Sequence, residues 1–428
     1  METLVTPLIP FMKVFAAFAV MLIGIRLKLS IGLAILAGSV ALALMCAMPV
    51  SMYAGTALKA LSHENFHFLA VIIGLILILS DALERSGQSK RLMDALAGYL
   101  VSPRLRLIFF PALIGLLPMP GGAVFSAPMV KTVSGDMRIR NSDRALVNYW
   151  FRHVWEVCWP LYPGIILTVA LADITLLDLI GKTWPGTLVM LAVGWWFFLR
   201  PSVLGYDDIE VAPAPKNRSF TDVLRQGAPL LTAIGGAVAL ETVIAGFLPS
   251  VPFEWGVALA LTLGVGVVLI QNTDLGFSFL LSVMKKPGLW SMMLVVTAIF
   301  IFKDVMQAAG VVQDMADSAG GEAALIASAV LLPFLVGMVA GINIAFVGAT
   351  FPLLLGILAA LGMQDQTIPY LILATFAGFT GVMVSPIHIC LILTCQYFDS
   401  DLMAAWRKLI LPCLLLFLSG VALFVFWT

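Results

Sequence analysis

Charge is what this 428-residue chain has least of: only 11% of it is Asp, Glu, Lys or Arg, against roughly 25% in an ordinary soluble domain. Its 24 basic and 24 acidic residues leave no net charge, which argues against a nucleic-acid partner. No Walker loop, dinucleotide-type glycine fingerprint or nucleophile elbow is present, so neither ATP drive nor a familiar catalytic centre is indicated. The five cysteines, Cys46, Cys158, Cys390, Cys395 and Cys413, form no CxxC pair and read as buried thiols rather than a disulfide or zinc framework. No cofactor is expected. The start lacks a basic leader and a small-residue cleavage site, so its long apolar run reads as a first span.

What the chain has is apolar length. It is 61% hydrophobic, with mean hydropathy +1.04, and many stretches approach the roughly 20 residues needed to cross a bilayer as helix. The expected fold is an all-α polytopic membrane protein. Full spans are read near 8–27, 30–49, 66–84, 145–170, 183–199, 226–247, 251–271, 288–309, 367–394 and 404–427. Segments 104–135 and 323–360 are interrupted by Pro118-Met119-Pro120-Gly121-Gly122 and by Gly341-Ile342-Asn343, and read as re-entrant helical hairpins. Segments near 52–62, 88–101, 275–286 and 311–320 read as interfacial amphipathic helices.

Two spans are broken alike. Trp159-Pro160-Leu161-Tyr162-Pro163-Gly164-Ile165-Ile166-Leu167-Thr168 aligns without a gap on Ser385-Pro386-Ile387-His388-Ile389-Cys390-Leu391-Ile392-Leu393-Thr394. A proline inside a span removes a helical hydrogen bond. The freed backbone groups are tolerated only inside protein or against a wet cavity. Further matches keep the same order: Asp81 and Gly87 with Asp304 and Gly310, Pro111 and Gly115 with Pro333 and Gly337, Ala123 and Pro128 with Ala345 and Pro352.

The expected organisation is two repeats. Residues 1–200 carry scaffold spans 8–84, hairpin 104–135 and broken helix 145–170; residues 223–428 carry scaffold spans 226–309, hairpin 323–360 and broken helix 367–394. A polar cytoplasmic linker, 201–222, joins them. Each half holds an odd number of spans, so the second is inverted, and paired breaks in inverted halves point to a transporter's binding site. With both termini outside, all of the 24 basic residues but Lys13, Lys59, Arg152, Lys182 and Lys303 fall on the cytoplasmic side, as the positive-inside rule requires. The expected location is the cell (inner) membrane, with both termini on the outer or periplasmic face.

With these motifs the chain resembles the ion transporter superfamily, which includes divalent-anion/sodium symporters, citrate transporters and gluconate permeases. Leu117 to Pro128 and Asn148-Tyr149-Trp150-Phe151-Arg152 resemble the uncharacterised integral membrane family catalogued as domain of unknown function 401. The resemblance implies a homodimer with a fixed scaffold, a mobile body of hairpins and broken helices, and an elevator-like movement. The sodium/dicarboxylate members carry Ser-Asn-Thr at both hairpin tips. Here the tips read Pro-Gly-Gly-Ala and Gly-Ile-Asn-Ile, so sodium coupling and dicarboxylate specificity are not carried over.

Candidate binding residues gather at the breaks and tips. Pro120, Gly121 and Gly122 open a helix whose free N–H groups suit an anion, with Ser126 one turn inside; the alternative is a plain re-entrant turn. Asn343, Gly348 and Thr350 at the second tip offer oxygens for a carboxylate or Na⁺, or an interhelical hydrogen bond; a possible Na⁺ position lies near Asn343 and Ser385. Asn148, Arg152, His153 and Glu156 form the sharpest polar cluster and have no polar counterparts in the second half. Arg152 and Glu156 share a helix face. They read either as anion contact and coupling-ion carrier, or as a pair pinning two bodies together. Tyr162 aligns with His388, which reads as a proton carrier or as a cap on a freed carbonyl. Lys13 and Glu241 sit near enough to span ends to snorkel. The expected function is secondary active transport of a small organic anion, a carboxylate, coupled to H⁺ or Na⁺. A Na⁺/H⁺-type cation antiporter is the alternative, and an intramembrane enzyme the reading from another class.

Overall fold

The computed structural model describes residues 9–100, 102–116, 122–135, 137, 139–200, 203, 219–247, 251–252, 254–276, 278–318 and 325–428. The described residues are helical, with no strand among them. Pro120 and Gly121, and most of the linker, lie outside them.

The chain opens with α1 (Ile9–Arg26) and α2 (Ile31–Met45), then α3 (Val50–Ala60), α4 (Glu64–Arg85) and α5 (Gln88–Ala97). The amphipathic α3 and α5 match two of the interfacial helices expected from sequence. Next come α6 (Pro103–Gly115), α7 (Ala123–Val133), α8 (Asn141–Arg152), α9 (Pro163–Ala172), α10 (Leu176–Thr183) and α11 (Pro185–Phe198). The second half holds α12 (Phe220–Phe247), α13 (Glu254–Gln271), α14 (Ser278–Met284), α15 (Pro287–Ala308), α16 (Val311–Ser318) and α17 (Leu332–Ala340), then α18 (Asn343–Ala360), α19 (Thr367–Met383), α20 (Ile389–Tyr397) and α21 (Leu402–Trp427). A π-helical turn, Ala327–Leu331, leads into α17.

Eight described stretches are long and apolar enough to cross a membrane. The protein is a membrane-embedded, multi-pass helical bundle. The eight differ in detail from the spans read off the sequence. Leu176–Phe198 joins α10 and α11 into one apolar stretch, whereas α2 falls short of a full crossing length. α18, read as a hairpin arm, is itself 18 residues long, about 27 Å. Helices α6 and α7, at 13 and 11 residues, reach only about 16–20 Å and stop short of a core about 30 Å thick.

Helix contacts interleave the two halves. α7 packs on α20, and α18 packs on α9, so each interrupted hairpin lies against the broken helix of the other half. The centre is closed by large buried side chains, among them Tyr149, Trp150, Phe346, Phe376 and Phe379. Lipid tails are as apolar as these groups, so close packing and polar contacts hold such a bundle rather than hydrophobic burial alone. Ion pairs fasten the ends of the spans. Asp81, near the end of α4, pairs with Lys286, just before α15. Asp304, near the end of α15, meets His63, just before α4, at 2.8 Å. Glu241 does not snorkel: it is 2% exposed and accepts a 2.8 Å bond from the Leu176 N–H, where α10 begins with unsatisfied donors.

Candidate functional site

Both broken spans open around their prolines, the first already at His153, ahead of Pro160. α8 stops at Arg152, and residues 153–162 run as turns until Pro163 restarts the helix as α9. α19 stops at Met383, and 384–388 turn until α20 begins. Pro163 at a first helical position has no N–H to leave unsatisfied. Freed carbonyls find aromatic donors. Tyr149 Oη donates to Met383 O at 3.0 Å, and Trp406 Nε1 to Val384 O at 2.7 Å. From the first break, Trp155, Trp159 and Tyr162 donate to Ala112 O, Leu116 O and Gly115 O at 2.8, 3.0 and 2.6 Å. They cap the end of α6, whose last carbonyls have no helical partner. The aromatic residues of the break thus close the backbone account that lipid would leave open.

The two breaks and the Ile342-Asn343 turn meet at one cavity of about 130 Å³, lined by Arg152, His153, Glu156, Tyr162, Asn343, His388 and Cys390, with Met292 of α15 on one wall. Arg152 and Glu156 are 3% and 9% exposed. Each charge at membrane depth costs at least about 2.5–3.5 kcal/mol on insertion scales unless it is partnered. They are four residues apart, but the helix ends at Arg152, so the turn and not a helix face brings them together. Arg152 Nη1 lies 3.5 Å from Glu156 Oε1, and Glu156 Oε2 accepts a 2.7 Å bond from Asn343 Nδ2. That bond joins the first break to the second hairpin. The pair keeps the cavity formally neutral while leaving a guanidinium at its wall.

A second polar group shares the cavity. His153 Nδ1 is 2.6 Å from Tyr149 O; a carbonyl only accepts, so neutral His153 carries its proton on Nδ1. Its Nε2, 3.1 Å from His388 Nε2, then accepts, and His388 donates through Nε2. His388 Nδ1 is buried with no hydrogen bond. His388 therefore meets a second imidazole and also the backbone of Gly341 at the second hairpin turn. Ligand atoms of His153, His388 and Cys390 all lie within 4.8 Å of one another and form a set able to hold a metal ion.

The profile of the family described as "Protein of unknown function (DUF401)" matches residues 10–426. The chain belongs to that family. No curated protein matches it.

In this DUF401 member the sequence-derived site divides in two. Arg152, Glu156, Tyr162, Asn343 and His388 line the cavity. The remainder supports it or lies apart. Gly122 backs onto the Arg152 guanidinium, where a Cβ would come within 2.9 Å of Nη2. Thus a side chain of the protein itself approaches this glycine. Ser126 donates to Asn148 Oδ1 at 2.6 Å, and Asn148 donates to Ala123 O at 2.8 Å and to Thr394 Oγ1 at 3.2 Å. This buried network ties α7, α8 and α20 together. Gly348 packs on Ile299, and Thr350 bonds back to Phe346 O at 2.7 Å. Ser385 Oγ and Asn343 Oδ1 are buried without a hydrogen bond, and both are oxygens of the kind Na⁺ takes. Ser385 does not line the cavity. Cys390, Gly164 and Met292 do, although sequence reasoning did not select them. Cys390 stands two residues past His388 at the start of α20, a signal that was present; Met292 sits in an ordinary apolar span and carried none.

Proposed function

We propose that the protein is a secondary active transporter of a small organic anion, a carboxylate, coupled to H⁺ or Na⁺. The observation that carries this reading is the buried Arg152–Glu156 pair in the one cavity where both helix breaks meet the second hairpin turn. A guanidinium binds a carboxylate through charge-assisted hydrogen bonds. An arriving carboxylate competes with Glu156 for Arg152 and leaves Glu156 to take up a proton or face a cation. The cavity has room for several waters and suits a compact solute of a few heavy atoms.

An inverted repeat of the ion-transporter-superfamily kind is supported by paired contacts. α6 lies on α8 as α17 lies on α19; α7 lies on α20 as α18 lies on α9; α1 lies on α2 as α12 lies on α13. A Cβ added to Gly115 would come within 2.1 Å of Arg152 O, and one added to Gly337 within 2.2 Å of Gly378 O. These are the residues that the two halves align. The mobile body of this reading is α6–α9 with α17–α20, sliding against a scaffold that includes α15. Met292, on α15, is the scaffold's contribution to the cavity. A homodimer in the cell membrane with external termini completes the proposal. A cation/proton antiporter is the second reading, favoured by Glu156 and the two imidazoles facing one cavity.

The test is flux into proteoliposomes under imposed Na⁺ or H⁺ gradients with a panel of small carboxylates. Gradient-driven carboxylate uptake is expected, and lost in Arg152→Ala. Cation-driven proton flux with no organic solute would replace this reading with the antiporter.

A further inference from the structure

We infer that the cavity holds a soft monovalent metal ion, Cu⁺, on His153 Nε2, His388 Nε2 and Cys390 Sγ. The two imidazole nitrogens are 3.1 Å apart. Two imidazoles sharing a metal at about 2.0–2.1 Å place their nitrogens about 3.3–3.4 Å apart at the tetrahedral angle, a few tenths of an ångström beyond the spacing here. The pair thus stands near chelating distance, from two different broken helices, and a small parting of the rings completes it. The thiol lies within 4.8 Å of a ring nitrogen of each histidine and needs only a side-chain adjustment to close the triangle. The orienting contact is also present: His153 gives its other N–H to Tyr149 O at 2.6 Å, the outer-shell arrangement that fixes a metal-ligating histidine. In the tautomer that donates through Nε2, His388 Nδ1 carries no proton and can take the one that Nε2 must give up. Among the described residues no other group of three His, Cys, Asp or Glu has this spacing.

Charge selects the ion. The unligated cavity is formally neutral: Arg152 balances Glu156, and the imidazoles and the thiol carry no charge. On binding, the Cys390 S–H proton leaves to solvent, the thiolate and two neutral imidazoles coordinate Cu⁺, and the cavity is neutral again. The proton on His388 moves from Nε2 to Nδ1, and no redox change occurs. A divalent ion on the same ligands would leave one uncompensated positive charge in a buried site, an expensive outcome. Thiolate with imidazole also suits Cu⁺ by softness. Glu156 Oε1, 3.7 Å from His153 Nε2, faces Arg152, and Oε2 is held by Asn343, so three protein ligands remain.

This inference does not rest on the transport reading, because it is read on purified protein without flux. Detergent-solubilised protein is titrated anaerobically with Cu⁺ held by a coloured competing chelator. One equivalent of Cu⁺ is expected to leave the chelator with release of one proton, and X-ray absorption of that complex is expected to report one sulfur and two imidazole scatterers. Cys390→Ser and His388→Ala are expected to abolish uptake, and Cys395→Ser to keep it. The absorption measurement on the wild type covers the case in which a variant fails to fold. Retention of all Cu⁺ by the chelator, equal uptake by Cys390→Ser, an oxygen-only or sulfur-free metal shell, or preference for Zn²⁺ over Cu⁺ would each overturn the assignment.

Discussion

Replacing Gly115 by alanine tests whether the first break is held to α6 by backbone contact. The added Cβ would sit 2.1 Å from Arg152 O, 3.0 Å from Arg152 C and 3.3 Å from Trp155 Cδ1. Non-bonded atoms settle at about 3.5–4.0 Å, so α6 and the end of α8 must part by at least about 1 Å. Overpacking of this kind costs about 1–3 kcal/mol. The same shift stretches the Tyr162–Gly115 bond, 2.6 Å long, beyond hydrogen-bonding range, adding about 0.5–1.5 kcal/mol. Gly337→Ala meets Gly378 O at 2.2 Å and should lose the packing part alone. Gly74 and Gly266 are helical, and a Cβ on either meets nothing within 4 Å; alanine there should be neutral or stabilise by up to about 1 kcal/mol. The assay is thermal unfolding in detergent, with expected order Gly115→Ala lowest, Gly337→Ala next, and Gly74→Ala and Gly266→Ala at or above wild type. Ligand affinity should also fall in Gly115→Ala, because a misplacement of about 1 Å at a positioned group can cost on the order of 100-fold. If Gly115→Ala melts with the two open-space controls, the account of this junction is wrong.

Three further outcomes follow from the same geometry. Arg152→Lys should weaken carboxylate-driven flux at least tenfold while the protein still folds, since lysine keeps the charge but not the fork that meets two oxygens; unchanged affinity would remove Arg152 from ligand contact. Tyr149→Phe leaves Met383 O buried without its donor and should lower stability by about 1–3 kcal/mol in thermal unfolding, whereas Ser62→Ala, whose hydroxyl bonds an exposed carbonyl, should not. In a Cys46→Ser background, a membrane-impermeant thiol reagent should label Asp173→Cys on intact cells and Ser219→Cys only after permeabilisation; the reverse pattern would invert the proposed orientation.

Much of the bundle was legible because apolar length and proline position are local. The breaks at Pro160 and Pro386, the short α6 and α7, and amphipathic helices such as α5 and α16 lie where composition puts them. Arg152 and Glu156 stood out because charge in an apolar span is rare. Other features depended on partners far along the chain. Asn148 was selected as a ligand contact, and its amide is tied to Ser126, Ala123 O and Thr394, on two other helices. Glu241 was read as snorkelling, but its distant partner Leu176 N makes it a buried cap.

By itself, the amino-acid order determined that this chain must live in lipid as helices and where those helices must yield, since a proline lacks its N–H whatever surrounds it. Only the tertiary structure decided which polar groups face the shared cavity. Glu156 is joined to Asn343 and His153 to His388 across gaps of more than 180 residues, and separation in sequence carries no record of which side chains the folded helices bring within a hydrogen bond.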